Sequence, residues 1–179
     1  MKQVIEQSVS AALQRLKTHS DLVGLSNVDE ATFRSFVIAA IMERCPTANC
    51  QTEWHRFDLL VQGEAVNVLV EFKFYLFRQT HEIDGRLGSW KGGAGPKNES
   101  EFWDCVGKLH NHRDAAVHHR LLILVYQIGY PPPGKYSFAK SYDGLAASAT
   151  IDAVTDIPHG MAEALTCKIL EVLPSTSRV

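Results

Sequence analysis

The sequence lacks the features that mark membrane-spanning, secreted and disulfide-rich proteins. No apolar run approaches the roughly 20 residues that a transmembrane helix needs, and the first residues contain no apolar signal-peptide segment. The four cysteines are scattered along the chain, which favours reduced thiols over a disulfide framework. We therefore expect a cytoplasmic protein without a membrane segment.

Net charge is also nearly absent, since 18 basic residues face 20 acidic ones. A net charge of −2 gives no general attraction to phosphates, unlike the basic surface of many nucleic-acid-binding proteins. Between Arg78 and Arg120, however, the basic residues slightly outnumber the acids, and five of the eight histidines lie there. An anionic partner is therefore expected to meet this stretch.

What the sequence does contain is typical of one globular α/β or α+β domain. The 179 residues are 45% hydrophobic and 21% charged, enough for a core of their own, and we take 1–179 as a single domain. The predicted elements are a helix over 3–17, a helix from the N-cap Asp29 to before Pro46, a hairpin within 56–77, a long glycine-rich loop over 78–97, a helix over 99–112 opened by an Asn98–Glu101 capping box, and a buried strand over 119–129.

The C-terminal part, 129–179, gives weaker signals. Short strands are predicted over 135–142 and 150–154 after a proline-rich break. Residues 161–173 fit either a helix or a segment that becomes a strand at Leu165.

Three charges interrupt the apolar hairpin: Asp58, Glu71 and Lys73. A two-residue turn at 63–64 would place Asp58 opposite Leu69 and diagonal to Glu71, about 7–8 Å away at the backbone. Because side chains alternate along a strand, Leu69, Glu71 and Lys73 share one face with Asp58. The other face is apolar and consists of Val66, Val68, Val70, Phe72 and Phe74.

This arrangement suits phosphodiester chemistry. Two carboxylates can hold Mg²⁺, which keeps waters for substrate oxygens. Such an ion polarises a phosphoryl group and acidifies a bound water, while the lysine orients that water or neutralises the phosphate. The alternative interpretation is a cross-strand salt bridge on a solvated sheet face.

Asp58 followed by "VEFKF", with Glu71 and Lys73 at the end of an apolar strand, resembles the PD-(D/E)xK nuclease superfamily. The upstream helix "EATFRSF", the downstream helix "FWDCVGKL" and the strand "RLLILVY" match that family's order of elements over about 28–128. The resemblance implies a restriction-endonuclease-like α/β fold with three layers, in which helices flank a mixed central sheet. Phe57 stands where the family name has proline, and the loop 78–97 is longer than the family core needs.

The resemblance also implies site residues. Asp58 and Glu71 would be the ligands of Mg²⁺ or Mn²⁺, and Lys73 would align the attacking water. Glu30 is the choice for the helix acid because it lies in helical phase with Phe33, and Glu43 and Glu53 are the alternatives. Lys108 would contact phosphate or the surroundings of Lys73, unless it only pairs with Asp104 one turn earlier.

The function so implied is a metal-dependent nuclease that acts on DNA. Members of the family often dimerise, so the resemblance also allows a homodimer. The alternative is a catalytically inactive member of the same fold that binds nucleic acid or a protein. A third interpretation is an unrelated α/β scaffold in which the triplet is coincidental.

Other motifs are weaker. Lys91 and Lys97 surround the glycines of "SWKGGAGPKNESEF" just before a helix, a pattern that favours a phosphate-facing loop over a merely flexible one. The Walker spacing is absent, so we do not expect binding of a nucleoside triphosphate. Cys45 and Cys50 have no second close pair with which to complete a zinc site, and we expect no zinc.

Overall fold

A computed structural model describes residues 1–76, 78–81, 84, 86–91, 96–127, 142–159 and 165–175. Within these ranges the chain forms three α-helices and eight β-strands, with a short 3₁₀ turn at Leu25–Asn27. The helices are α1 (Lys2–Val23), α2 (Glu30–Arg44) and α3 (Pro96–Asn111). The strands are β1 (Asn49–Trp54), β2 (Phe57–Gln62), β3 (Asn67–Tyr75), β4 (Arg78–His81), β5 (Leu87–Lys91), β6 (His119–Gln127), β7 (Ile151–Asp156) and β8 (Leu165–Val172).

Six strands form one mixed sheet in the order β1-β2-β3-β6-β8-β7, and β4 pairs with β5 separately. The pair β3 and β6 is parallel, and the other neighbours in the large sheet are antiparallel. Parallel strands need a crossover connection, and the segment between β3 and β6 contains α3. This crossover places α3 against β3, the strand that carries both Glu71 and Lys73.

Apolar side chains fill both sides of the sheet. On one side, the α1 and α2 stripes pack on alternate residues of β3, among them Val70 and Phe72. On the other side, α3 packs on Leu69 and on Leu122 of β6. Alternate residues of β3 thus pack into two cores, one on each side of the sheet. The predicted three-layer α/β architecture is confirmed.

Helix α2 follows the prediction closely. Asp29 is its N-cap, with Oδ1 accepting a hydrogen bond from Thr32 N at 2.8 Å. Phe33 is buried and contacts the rings of Phe72 and Phe74, which seats the start of α2 over the second half of β3. Glu30, the candidate acid in the first turn of α2, thereby lies beside the hairpin.

The other helix boundaries differ from the prediction. Helix α1 continues to Val23, six residues beyond the predicted end. Helix α3 begins at Pro96, so Asn98 lies inside it and the predicted capping box is wrong. Proline is favoured at the first helical position, where the N–H that it lacks would have no intrahelical partner.

The predicted hairpin turn is wrong in length. Leu59 pairs with Val70 and Leu60 with Leu69, so the connection is the four residues 63–66, closed by a Gly63 N–H to Val66 O hydrogen bond of 3.0 Å. The register therefore differs by two residues from the predicted one. An even shift leaves each side chain on its predicted face, and it moves Asp58 beside Glu71 instead of Leu69.

The strands beyond the hairpin confirm some predictions and correct others. Strand β6 and strand β7 lie where they were predicted, and 165–172 is a strand, the second of the two alternatives for that segment. The sequence did not predict β1, and part of the predicted loop 78–97 forms β4 and β5. Residues 77, 82–83, 85, 92–95, 128–141, 160–164 and 176–179 lie outside the described part. The proline-rich break and all but the last residue of the predicted strand 135–142 are among them.

In the described ranges, no helix has both the length and the apolar character that crossing a membrane requires.

Candidate active site

Asp58 and Glu71 lie side by side where the β2–β3 ladder ends. Beyond the last pair, Leu59 with Val70, the side chain of Asp58 replaces the backbone: its Oδ2 accepts a hydrogen bond from Phe72 N at 2.8 Å. This contact satisfies an N–H that would otherwise lack a ladder partner. It also fixes one carboxylate against the backbone that carries the other.

Arg34 of α2 is the cation beside Asp58. Its Nη1 donates to Asp58 Oδ1 at 3.1 Å and to Glu53 Oε1 at 2.8 Å. Sequence reasoning missed Arg34, although an arginine one turn after Glu30 on the same helix was a usable signal. Through Arg34, the end of β1 and the start of β2 are both connected to α2.

Lys108 of α3 is the cation beside Glu71. Only 2% of Glu71 is exposed, and its Oε1 forms an ion pair with Lys108 Nζ at 2.5 Å. Lys108 Nζ also donates to the backbone oxygen of Arg56 at 2.8 Å and lies 4.8 Å from the centroid of the Phe57 ring. Lys108 thus pairs with Glu71 and not with Asp104.

Asp58, Glu71, Glu30 and Lys73 form one cluster of interacting charges. Burial shifts the pKa values of two of its acids. Desolvation raises the pKa of Glu71 to about 7, against the lowering effect of Lys108. Desolvation likewise raises the pKa of Glu30 to about 7, with Lys73 lowering it and Asp58 raising it. Both acids therefore exchange a proton near neutral pH, which is uncommon for glutamate.

Lys73 connects these groups. Burial acts to lower its pKa, but the Cys105 sulfur and the acids Glu30, Asp58 and Glu71 act in the opposite direction, and the net pKa is raised. Lys73 is therefore a charged ammonium among carboxylates at neutral pH. Burial raises the pKa of the Cys105 thiol, although Lys73 lowers it. Cys105, which lies one turn before Lys108 on α3, is a second neighbour that the sequence analysis missed.

No protein-family model, no curated protein and no solved structure matches the chain.

The remaining predicted site residues lie elsewhere or outside the described part. Lys97 is 88% exposed and lies 3.7 Å from Glu101. Lys91 belongs to β5, and its side chain is not among the described ones. Of the three candidate helix acids, Glu30 joins the cluster, Glu53 reaches it only through Arg34, and Glu43 pairs with Arg15 on the outer surface.

The donor set of the cluster suits a hard cation. Across the described ranges, no group of three or more His, Cys, Asp or Glu side chains is arranged to hold a metal ion. The protein would thus supply only the oxygens of Asp58 and Glu71, a set that is typical of Mg²⁺, which is commonly bound by one or two carboxylates together with waters and substrate phosphates. A cation at Glu71 Oε1 would have to displace Lys108, whose Nζ lies 2.5 Å from that oxygen.

Proposed function

We propose that this protein is a metal-dependent nuclease of the PD-(D/E)xK type that hydrolyses phosphodiester bonds in DNA. The observation that supports it best is the convergence of Asp58, Glu71, Lys73 and Glu30 at the end of the β2–β3 ladder, with Glu71 buried. Burying a carboxylate costs free energy, and perturbed ionisable groups of this kind are concentrated at functional sites.

The reaction class is hydrolysis, in which a water oxygen bonds to phosphorus and the bond from phosphorus to the leaving sugar oxygen breaks. Asp58 and Glu71 would hold Mg²⁺ or Mn²⁺, which supplies charge stabilisation at phosphorus and a more acidic water when bound. Lys73, charged at neutral pH, orients the water or neutralises a phosphate oxygen. Glu30, with a pKa of about 7, is suited to accept the proton that the water loses.

The test is cleavage of supercoiled plasmid and of single-stranded DNA with Mg²⁺, with Mn²⁺ and with chelator. We expect metal-dependent nicking that Glu71→Gln and Lys73→Met each reduce by at least about a hundredfold. Glu64→Gln is the matched control, because Glu64 is an exposed acid in the turn of the same hairpin. Equal cleavage by wild type and Glu71→Gln would contradict the proposal, and so would no cleavage of either DNA by folded wild type.

A second candidate function is a non-catalytic module of the same fold that binds nucleic acid or a protein. The pairing of both carboxylates with cations favours it, since Arg34 and Lys108 make the cluster a structural ion network. Such a module would bind DNA or a protein without turnover.

The nuclease proposal includes a possible homodimer. Sedimentation of the same samples, with and without a DNA duplex, measures the oligomeric state and tests it.

A further inference from the structure

Glu71 cannot reach solvent, so its charge must be balanced from within the protein. Glu71 is 2% exposed and lies on β3 beneath α3. Lys108 Nζ is the cation in direct contact with it, at 2.5 Å. An ionised carboxylate without a counter-ion at this depth would be strongly unfavourable. Ionised Glu71 therefore needs a cation beside it.

Lys108, in contrast, is partly exposed and contacts more than one group. Its side chain is 35% exposed, whereas Glu71 beneath it is 2% exposed. The ammonium has other partners in place, the Arg56 backbone oxygen at 2.8 Å and the Phe57 ring. A lysine ammonium on a flexible four-carbon stem can exchange one partner for another at low cost.

We propose that Lys108 is an exchangeable counter-ion of Glu71, which competes with a divalent cation for the carboxylate and, once displaced, binds a phosphate of the substrate. This inference rests on the proposed function. It assigns one lysine two successive partners, the Glu71 carboxylate in the free protein and an anionic phosphate in the complex. Lys108 is accordingly a positioning residue in the free protein and a substrate contact in the complex.

Calorimetric titration of Mn²⁺ at pH 8 tests the first partner. Lys108→Met removes the competing charge, and we expect it to bind Mn²⁺ roughly tenfold more tightly than wild type. Lys97→Met is the matched control, since it removes one exposed charge from the same helix about 16 Å away, and we expect a change below about twofold. Glu71→Gln should abolish binding.

Binding of a DNA duplex in Ca²⁺ tests the second partner. We expect Lys108→Met to bind several-fold more weakly than wild type, with the salt dependence reduced by about one ion, because one phosphate contact is lost. Lys108→Gln, which retains a donor for the Arg56 oxygen, should behave like Lys108→Met. Agreement of the two variants would assign the effect to the lost charge and not to the lost hydrogen bond with Arg56, and a thermal melt of each shows whether the protein is folded.

The outcomes separate this inference from the proposed function. If wild type binds Mn²⁺ through Glu71 but the two Lys108 variants bind it no more tightly, the counter-ion inference is wrong and the nuclease proposal stands. If the Lys108 variants bind Mn²⁺ more tightly but bind DNA as well as wild type does, Lys108 does not contact a substrate phosphate. If neither wild type nor the Lys108 variants bind Mn²⁺, both proposals are wrong.

Discussion

Glu30→Gln is expected to stabilise the folded protein at pH 8 and to change little below pH 4.5. Glu30 has a pKa raised from 4.5 to about 7, mainly by burial. Each pH unit of such a difference corresponds to about 1.36 kcal/mol, so a fully buried acid would lose about 3 kcal/mol of stability on ionising. Glu30 is only half-buried and solvent screens part of this cost, which leaves about 2 kcal/mol.

The sign follows from where the proton is held. Between pH 4.5 and about 7 the folded protein keeps a proton on Glu30 that the unfolded chain has released. The free energy of unfolding therefore falls as the pH rises through this interval and stays lower above it. Glutamine cannot ionise, so this part of the decrease in the free energy of unfolding is absent in the variant.

Urea denaturation at pH 4.5, 6 and 8, followed by circular dichroism, measures the effect. Glu43→Gln is the control, because Glu43 is an exposed acid of the same helix whose partner Arg15 lies on the surface. A Glu30→Gln gain at pH 8 no larger than that of Glu43→Gln would refute the reasoning. So would a gain that is equal at all three pH values, because a charge effect must shrink towards pH 4.5, where Glu30 is protonated in the folded protein and half protonated in the unfolded chain.

Two further predictions concern the contacts that build the site. Asp58→Ala should cost about 1–3 kcal/mol in the free energy of unfolding, because the Phe72 N–H is left without its acceptor; Asp58→Asn, which keeps an acceptor oxygen, should cost clearly less, and equal losses in urea denaturation would contradict this role. Asp29→Ala should cost about 1 kcal/mol because α2 loses its N-cap bond to Thr32 N. Asp29→Asn should restore most of that stability, and an unchanged denaturation midpoint for Asp29→Ala would show that the cap does not contribute.

Local chemistry explains what sequence reasoning predicted correctly. The start of α2 was predictable because an N-cap acts within one turn, and Asp29 bonds Thr32 three residues later. The common face of Asp58, Glu71 and Lys73 was predictable because the strand period is two. That prediction withstood an incorrect turn length only because the register error was even.

Sequence reasoning missed elements that depend on pairing with distant segments. Strand β1 is a polar strand at the edge of the sheet, so its residues carry no strong periodic signal. Parts of the 78–97 segment pair with each other as β4 and β5 in spite of their glycines. In both cases the backbone hydrogen bonds of a partner strand decide the structure, and a single-segment pattern does not contain that partner.

The sequence by itself determined that two carboxylates and a lysine share one face of an otherwise apolar hairpin, because alternation is a property of the backbone. Only the tertiary structure decided what surrounds them. Arg34 reaches Asp58 across 24 residues of chain, and the crossover between β3 and β6 brings Lys108 to Glu71. Burial under α3, which no local pattern specifies, is what turns Glu71 from an ordinary surface acid into one with a pKa of about 7.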